Sequence, residues 1–325
     1  MAADGSPVDL DVGTKLSGRI GSWSIGTLAV RQAAYDDIDA SELLVSRIQH
    51  DVLAESKVGF IVTSGDPRSN IDNTLVGFDF LYSNTKLPGG GALDAEAWVQ
   101  KTETEGLSGD DMAYSLGFNL PNNAGFRGGV QFREVQENFK PALGFVSRNN
   151  VRDYDANTGY KHFFGPSGLG RWLQSINTGI DMERIEEIGN GLQSASYRLR
   201  PLELVNHSND SLQFRVQRNK EVVDNAFRIF SGNNGDVIIG PGDYTFDEYT
   251  LAMDTGGYRE LSAGLDFTSG EFYDGDRVNI NSSVTWRASP KLTMSVRYDW
   301  NNINLPQGDF ISRLIIADMN SLLSR

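Results

Sequence analysis

Apolar and polar residues alternate along almost the whole chain, the pattern of half-buried β-strands rather than helices. The clearest stretch is Lys291 to Trp300. Leu292, Met294, Val296, Tyr298 and Trp300 fall on one face, and Lys291, Thr293, Ser295, Arg297 and Asp299 on the other. Val278, Ile280, Val284 and Trp286 likewise oppose Asn279, Asn281, Ser283, Thr285 and Arg287. Val76, Phe78, Phe80 and Tyr82 oppose Gly77 and Asp79, and Met112, Tyr114, Leu116, Phe118 and Leu120 oppose Asp111, Ser115, Gly117 and Asn119. Leu212, Phe214 and Val216 face away from Gln213, Arg215 and Gln217, as Leu261, Ala263, Leu265 and Phe267 do from Glu260, Ser262, Gly264 and Asp266. Successive side chains of a strand point to opposite faces, so each segment is a ribbon with one oily and one wet side.

Roughly sixteen such segments can be counted, many about nine to eleven residues long, the length at which a tilted strand crosses a bilayer. Strand plus connection averages about twenty residues, longer than the spacing of turns in soluble sandwiches and closer to that of spanning barrels. Connections such as Lys86–Gly91, Pro121–Gly125, Asn206–Asp210 and Gly232-Asn233-Asn234-Gly235 carry turn chemistry. The fold class is therefore all-β with antiparallel neighbours. Which medium meets the oily face is a separate question, and a large soluble sandwich stays open on periodicity alone. Three features favour lipid. Charges of both signs sit inside strands on the wet face, aromatics (Tyr82, Phe118, Trp286, Trp300) sit near strand ends on the oily face, and so long a sheet must close or be covered.

Composition narrows the function. The 325 residues include 29 Lys+Arg against 43 Asp+Glu, a net charge of -14, so no basic stripe exists to hold nucleic acid. There is no Cys, which excludes disulfides and thiolate metal sites. No apolar run is long enough for a spanning helix, and the N-terminal residues do not read as a secretory signal. Acidic clusters (Asp36, Asp37, Asp39; Glu103, Glu105, Asp110, Asp111) read as solvated loop tips.

The stretch Glu137-Asn-Phe139-Lys-Pro141-Ala-Leu143-Gly-Phe145-Val-Ser-Arg148 resembles a segment of the domain of unknown function 5916 family, in which a Phe-x-Pro-x-Leu-Gly-Phe-Val-x-Arg run follows a barrel strand. Thr14–Arg19 with Trp23–Gly26, Pro241–Tyr244, Phe272–Asp276 and Asn304–Phe310 are similar to further pieces of that family in the same order, together spanning residues 12–312. The resemblance implies an antiparallel up-and-down transmembrane β-barrel of a Gram-negative outer membrane, often behind a carbohydrate-binding module similar to family 9. Its expected partners are the lipid bilayer and, through that upstream module, glycans. On that pattern residues 1–11 form a short lead and residues 12–325 a single barrel domain, partial because strands are expected beyond both ends. Arg313 to Arg325 even has helix-like apolar spacing at Ile311, Leu314, Ile315, Met319 and Leu322.

Candidate chemistry is sparse. His50, His162 and His207 lie far apart with no second ligand at metal spacing, so neither a metal nor a cofactor is expected. Asp153, Asp155 and Asn157 approach a calcium-loop pattern, but Thr158 and Phe164 replace its Gly and Glu, leaving an acidic loop. Asp243 with Asp274 or Asp276 is the best pair for a glycan-processing enzyme, although turn residues are the simpler reading. The wet-face charges Asp79, Arg127, Arg133, Arg215, Asp266, Arg297 and Asp299 carry more weight. They either line a polar passage and bias what enters, or form cross-strand ion pairs that hold the lumen shut. The expected function is an outer-membrane barrel acting as anchor or passage in glycan handling; the alternatives are a soluble all-β enzyme and a structural envelope protein.

Overall fold

The computed structural model describes residues 7–232 and 235–321. Among these the chain is nearly all strand. Its strands are β1 (Leu10–Ile20), β2 (Trp23–Gln32), β3 (Ser41–Val52), β4 (Ser56–Ser64), β5 (Asn73–Asn84), β6 (Leu93–Thr104), β7 (Met112–Leu120), β8 (Gly125–Val135), β9 (Val151–Phe163) and β10 (Leu173–Glu187). They continue as β11 (Gly191–Asn206), β12 (Ser211–Val223), β13 (Phe227–Gly232), β14 (Gly235–Ile239), β15 (Gly242–Asp254), β16 (Leu261–Phe272), β17 (Gly275–Ser289), β18 (Leu292–Leu305) and β19 (Gly308–Ser321). A short 3-10 turn, Gly168–Arg171, precedes β10. Seventeen strands belong to one sheet, and β13 and β14 form a separate two-stranded ribbon. No helix among the described residues is long and apolar enough to cross a membrane.

Contacts divide the chain into two compact units. The first holds residues up to Asn122, Gly129–Asp155 and Ile185–Gly191; the second holds Asn123–Gly128, Ala156–Arg184 and the chain from Leu192 onward. In the first unit β1 through β7 pair each with the next, all antiparallel. In the second, β11 pairs with β12, β12 with β15, and β15 through β19 pair in succession.

The predicted alternation is present, but its burial is the reverse of a soluble sheet's. On β5 the apolar Val76, Phe78 and Phe80 are exposed, while Asn73, Leu75 and Gly77 are buried. On β7 Leu116 and Phe118 are exposed, and Ala113, Ser115 and Gly117 are buried. The second unit behaves in the same way. Leu261, Leu265 and Phe267 of β16 are exposed beside half-buried Ser262, Gly264 and Asp266; Tyr249, Leu251 and Met253 of β15 are exposed beside buried Glu248 and Ala252. A water-facing sheet puts its large apolar side chains on the covered face.

Among the described residues, most of the buried apolar side chains gather in two local clusters. In the first unit Leu75, Ala113, Val135, Phe139 and Val151 pack together, flanked by Ile61, Trp98, Val146 and Ile185. In the second the β13–β14 ribbon lays Val237 and Ile239 against Ile303, Leu305 and Phe310, with Phe230 stacked on Phe310 at 4.3 Å between ring centres.

Two sequence expectations need correcting. The helix-like stretch after Arg313 is strand: β19 pairs with β18 without a break from Leu305↔Gly308 to Leu292↔Ser321, and this continuous ladder overrides the apolar spacing. Residues 322–325, including Leu322, lie outside the described residues. Asp153, Asp155 and Asn157 likewise stand inside β9 rather than in a loop.

Loop chemistry pins the strand ends. In the connection before β12, Asp210 accepts hydrogen bonds from the Asn206 side-chain amide (2.9 Å), the Gly256 backbone N–H (2.9 Å) and the Arg259 guanidinium (2.8 Å). The Asn206 amide first and then the Gly256 N–H hold its carboxyl below the ordinary carboxylate range; burial opposes them, and Arg259 adds a lesser lowering. A carboxyl depressed in the folded state contributes stability that is present above its unfolded pKa, about 3.9, and lost as pH falls through the folded value. Asp210→Asn should therefore remove part of the acid-induced drop in thermal midpoint, measured by melting wild type and variant side by side from neutral to strongly acidic pH.

Candidate functional site: the polar face

Facing strands stand about 4.8 Å apart, so side chains two strands apart start nearly 10 Å from each other. An arginine can meet a carboxylate over that distance if the intervening strand leaves the path clear. The first unit has such a bridge: Arg47 on β3 grips Asp79 on β5 with both guanidinium nitrogens, at 2.6 Å and 2.8 Å. Gly59 of β4 lies between, opposite Gln49 on one side and Asp79 on the other. A Cβ there would sit 2.5 Å from both Asp79 oxygens and 2.7 Å from the guanidinium, so a larger residue would force these two side-chain ends out of their present pairing.

The second unit repeats the device. Arg277 on β17 reaches Glu248 on β15 across Gly270, which opposes both of them in register. Arg127 donates to the Asn177 side-chain oxygen at 3.0 Å, passing Gly159, where a Cβ would lie 3.3 Å from Arg127 Nε. Arg215 meets Asp266 at 3.4 Å, with the small Ala252 opposite Asp266 on the strand between. Asn177 in turn donates to Glu203 at 2.6 Å, and Arg200 pairs with Asp181 at 3.3 Å and Glu203 at 3.7 Å.

The remaining sequence candidates have partners as well. Arg133 pairs with the buried Asp153. Arg297 lies 3.7 Å from Asp318, both half-exposed. Asp299 accepts from the amides of Asn279 (3.1 Å), Asn281 (3.4 Å) and Asn301. Of the seven, only Arg215 and Asp266 are brought directly together. The others engage Arg47, Asp153, Asn177, Asp318 and the three asparagines, pairings that sequence reading did not anticipate; the glycine between charged strands was the available signal. The histidines do not converge: His50 stacks on Trp23, His162 packs edge-on to Phe164, and His207 Nε2 lies 2.7 Å from the Gly170 carbonyl oxygen. Asp274 accepts from Gln307 at 2.7 Å, as a turn residue does, and Asp243 stands in register with Val222 while Asp276 opposes Glu271 and Asn304.

One connection packs onto this face. Between β8 and β9, residues 136–150 lie over the ends of β5 and β6. Buried Asn73 donates to the Lys140 carbonyl (2.8 Å) and to Thr104 Oγ1 (2.8 Å), and accepts from the Ala142 N–H at 3.2 Å. Thr102 Oγ1 accepts from the Lys140 N–H at 3.1 Å, and Phe139 is buried beneath. Phe145, at the loop's far side, is 89% exposed.

No family model matches the sequence, and no curated protein matches it. Solved structures do. The outer membrane protein OpdK of Pseudomonas aeruginosa is 12% identical, with 95% of this chain and 92% of that one covered at a TM-score of 0.52. OccAB2 of Acinetobacter baumannii is 12% identical, covering 95% and 91% at 0.53, and a BenF-like porin of Pseudomonas fluorescens Pf-5 is 13% identical, covering 95% and 91% at 0.51. The fold is that of an antiparallel outer-membrane β-barrel.

The bridges make a definite prediction. Gly59→Val should destabilise the folded protein by about 1–3 kcal/mol through overpacking against Arg47 and Asp79. Gly26, where an added Cβ meets nothing within 4 Å, should accept Ala with a change of about 0.5 kcal/mol or less. Urea unfolding in detergent, followed by tryptophan fluorescence, compares the two.

Proposed function

We propose that this chain is an outer-membrane barrel that gives small solutes a passage along its polar face. The observation carrying this reading is the reversed burial of the strands, with large apolar side chains exposed and small or charged ones covered. Lipid stabilises an apolar band of that kind, and a water-filled interior accepts charges of both signs. The porin-like fold supports the same reading. Because the arginines on the polar face are matched by carboxylates and amides, the passage should discriminate weakly by charge. The resemblance to the domain of unknown function 5916 family supports a link to glycan handling, with the barrel as partner of a sugar-binding module.

A second reading is an envelope anchor whose polar face is blocked. The inward packing of residues 136–150 on buried Asn73 and Thr102 favours it.

Planar-bilayer recording of the full protein separates the two: discrete conductance supports a passage, and insertion without conductance supports the anchor. Leu265→Arg, on the exposed apolar face, should cost about 2–4 kcal/mol of bilayer stability if that position lies near the midplane. Normal insertion of the variant would refute lipid contact at β16. Asp266→Asn should release Arg215 and shift the reversal potential under a salt gradient toward anion selectivity.

A further inference from the structure

A depression of about 350 Å³ lies along β3 to β6 of the first unit, and its lining includes Arg47, Lys57, Asp79, Leu81, Glu96 and Trp98 of the polar face. That volume lies at the small end of the range for ligand sites, about 300–1,000 Å³. Its charges are not all matched. Arg47 and Asp79 neutralise each other. Lys57 makes no ion pair or side-chain hydrogen bond among the described residues, and Glu96 is bound by a neutral group, Gln131 Nε2, at 2.6 Å.

These two opposite charges share one register row. Lys57 opposes Leu81 on β5, and Leu81 opposes Glu96 on β6. Their backbones are thus two strand spacings apart, about 10 Å, with Leu81, 40% exposed, between them. Trp98 is two residues along β6 from Glu96 on the same face. Sugar hydroxyls can hydrogen-bond to either group, but they bring no charge of their own, and hydrogen bonds between two ionised partners are the stronger ones. A zwitterion with an apolar middle answers both. Three extended residues span about 10 Å, which matches the row.

We propose that this depression binds short zwitterionic peptides of two or three residues, the carboxylate at Lys57, the ammonium at Glu96 and apolar side chains over Leu81 and Trp98. The proposal rests on the passage reading, since it makes the polar face a solute path, and it names the solute class.

The test is calorimetric titration of the folded, detergent-solubilised full chain with trialanine, its N-acetyl and C-amide derivatives, and maltose. Saturable trialanine binding is expected. Lys57→Gln should weaken trialanine about tenfold while leaving the C-amide unaffected, and Glu96→Gln should do the same for trialanine but not for the N-acetyl form. A variant that merely perturbs structure would weaken every probe alike, and that result overturns the proposal. So do the absence of saturable trialanine binding and a preference for maltose. Bilayer insertion of the same preparation is scored separately. Insertion without peptide binding sinks the peptide site alone, and peptide binding without insertion sinks the membrane reading alone.

Discussion

An arginine held on a half-buried sheet face must find an anion within reach, and the strand between them must give up its side chain to allow it. Much of the polar face follows from that constraint. Gly59, Gly270 and Gly159, with Ala252 in a looser version, mark where guanidinium groups cross a neighbouring strand. In a low-dielectric surrounding such pairs interact more strongly than in water, but removal of one partner leaves a charge with no compensation. The bridges therefore tie three strands at a time, beyond what the backbone ladders do pairwise.

The other face answers to its medium. Exposed Phe78, Leu116, Leu265 and Phe267 would be a liability in water, where contiguous apolar patches promote association. Against hydrocarbon they are the stabilising surface, and the folded chain then has little need of a central core. The two clusters that do exist, around Phe139 and around Ile239, lie under the 136–150 connection and the β13–β14 ribbon. Apolar packing serves here to seat a connection and a two-stranded ribbon on the large sheet.

Much of this was legible in the sequence because period two is a local signal. The strands around Phe78, Leu116, Phe267 and Val296 stand where alternation put them, and all seven singled-out charges lie in strands. What escaped depended on distant pairing. β19 carries apolar residues at helical spacing, and only its ladder with β18 makes it a strand. Arg47 and Asp79 are 32 residues apart, and Asn73 holds a connection 67 and 69 residues away, so no window along the chain joins them. The period also could not report which face the fold leaves uncovered; burial in the folded chain does.

Gly59 has one more consequence, for how the sheet finds its alignment. A slip of β4 by one residue would turn its oily side toward the charges, and the hydrophobic pattern alone penalises that error. A slip by two residues leaves every side chain on its proper face, so hydrophobicity is blind to it. Such a shift would bring Ile61 or Lys57 to the place of Gly59, and a long or branched side chain would then stand in the path between Arg47 and Asp79. The glycine and its ion pair thus distinguish the native alignment from slips that oily and wet faces alone cannot tell apart, since only the native register leaves the path between Arg47 and Asp79 open.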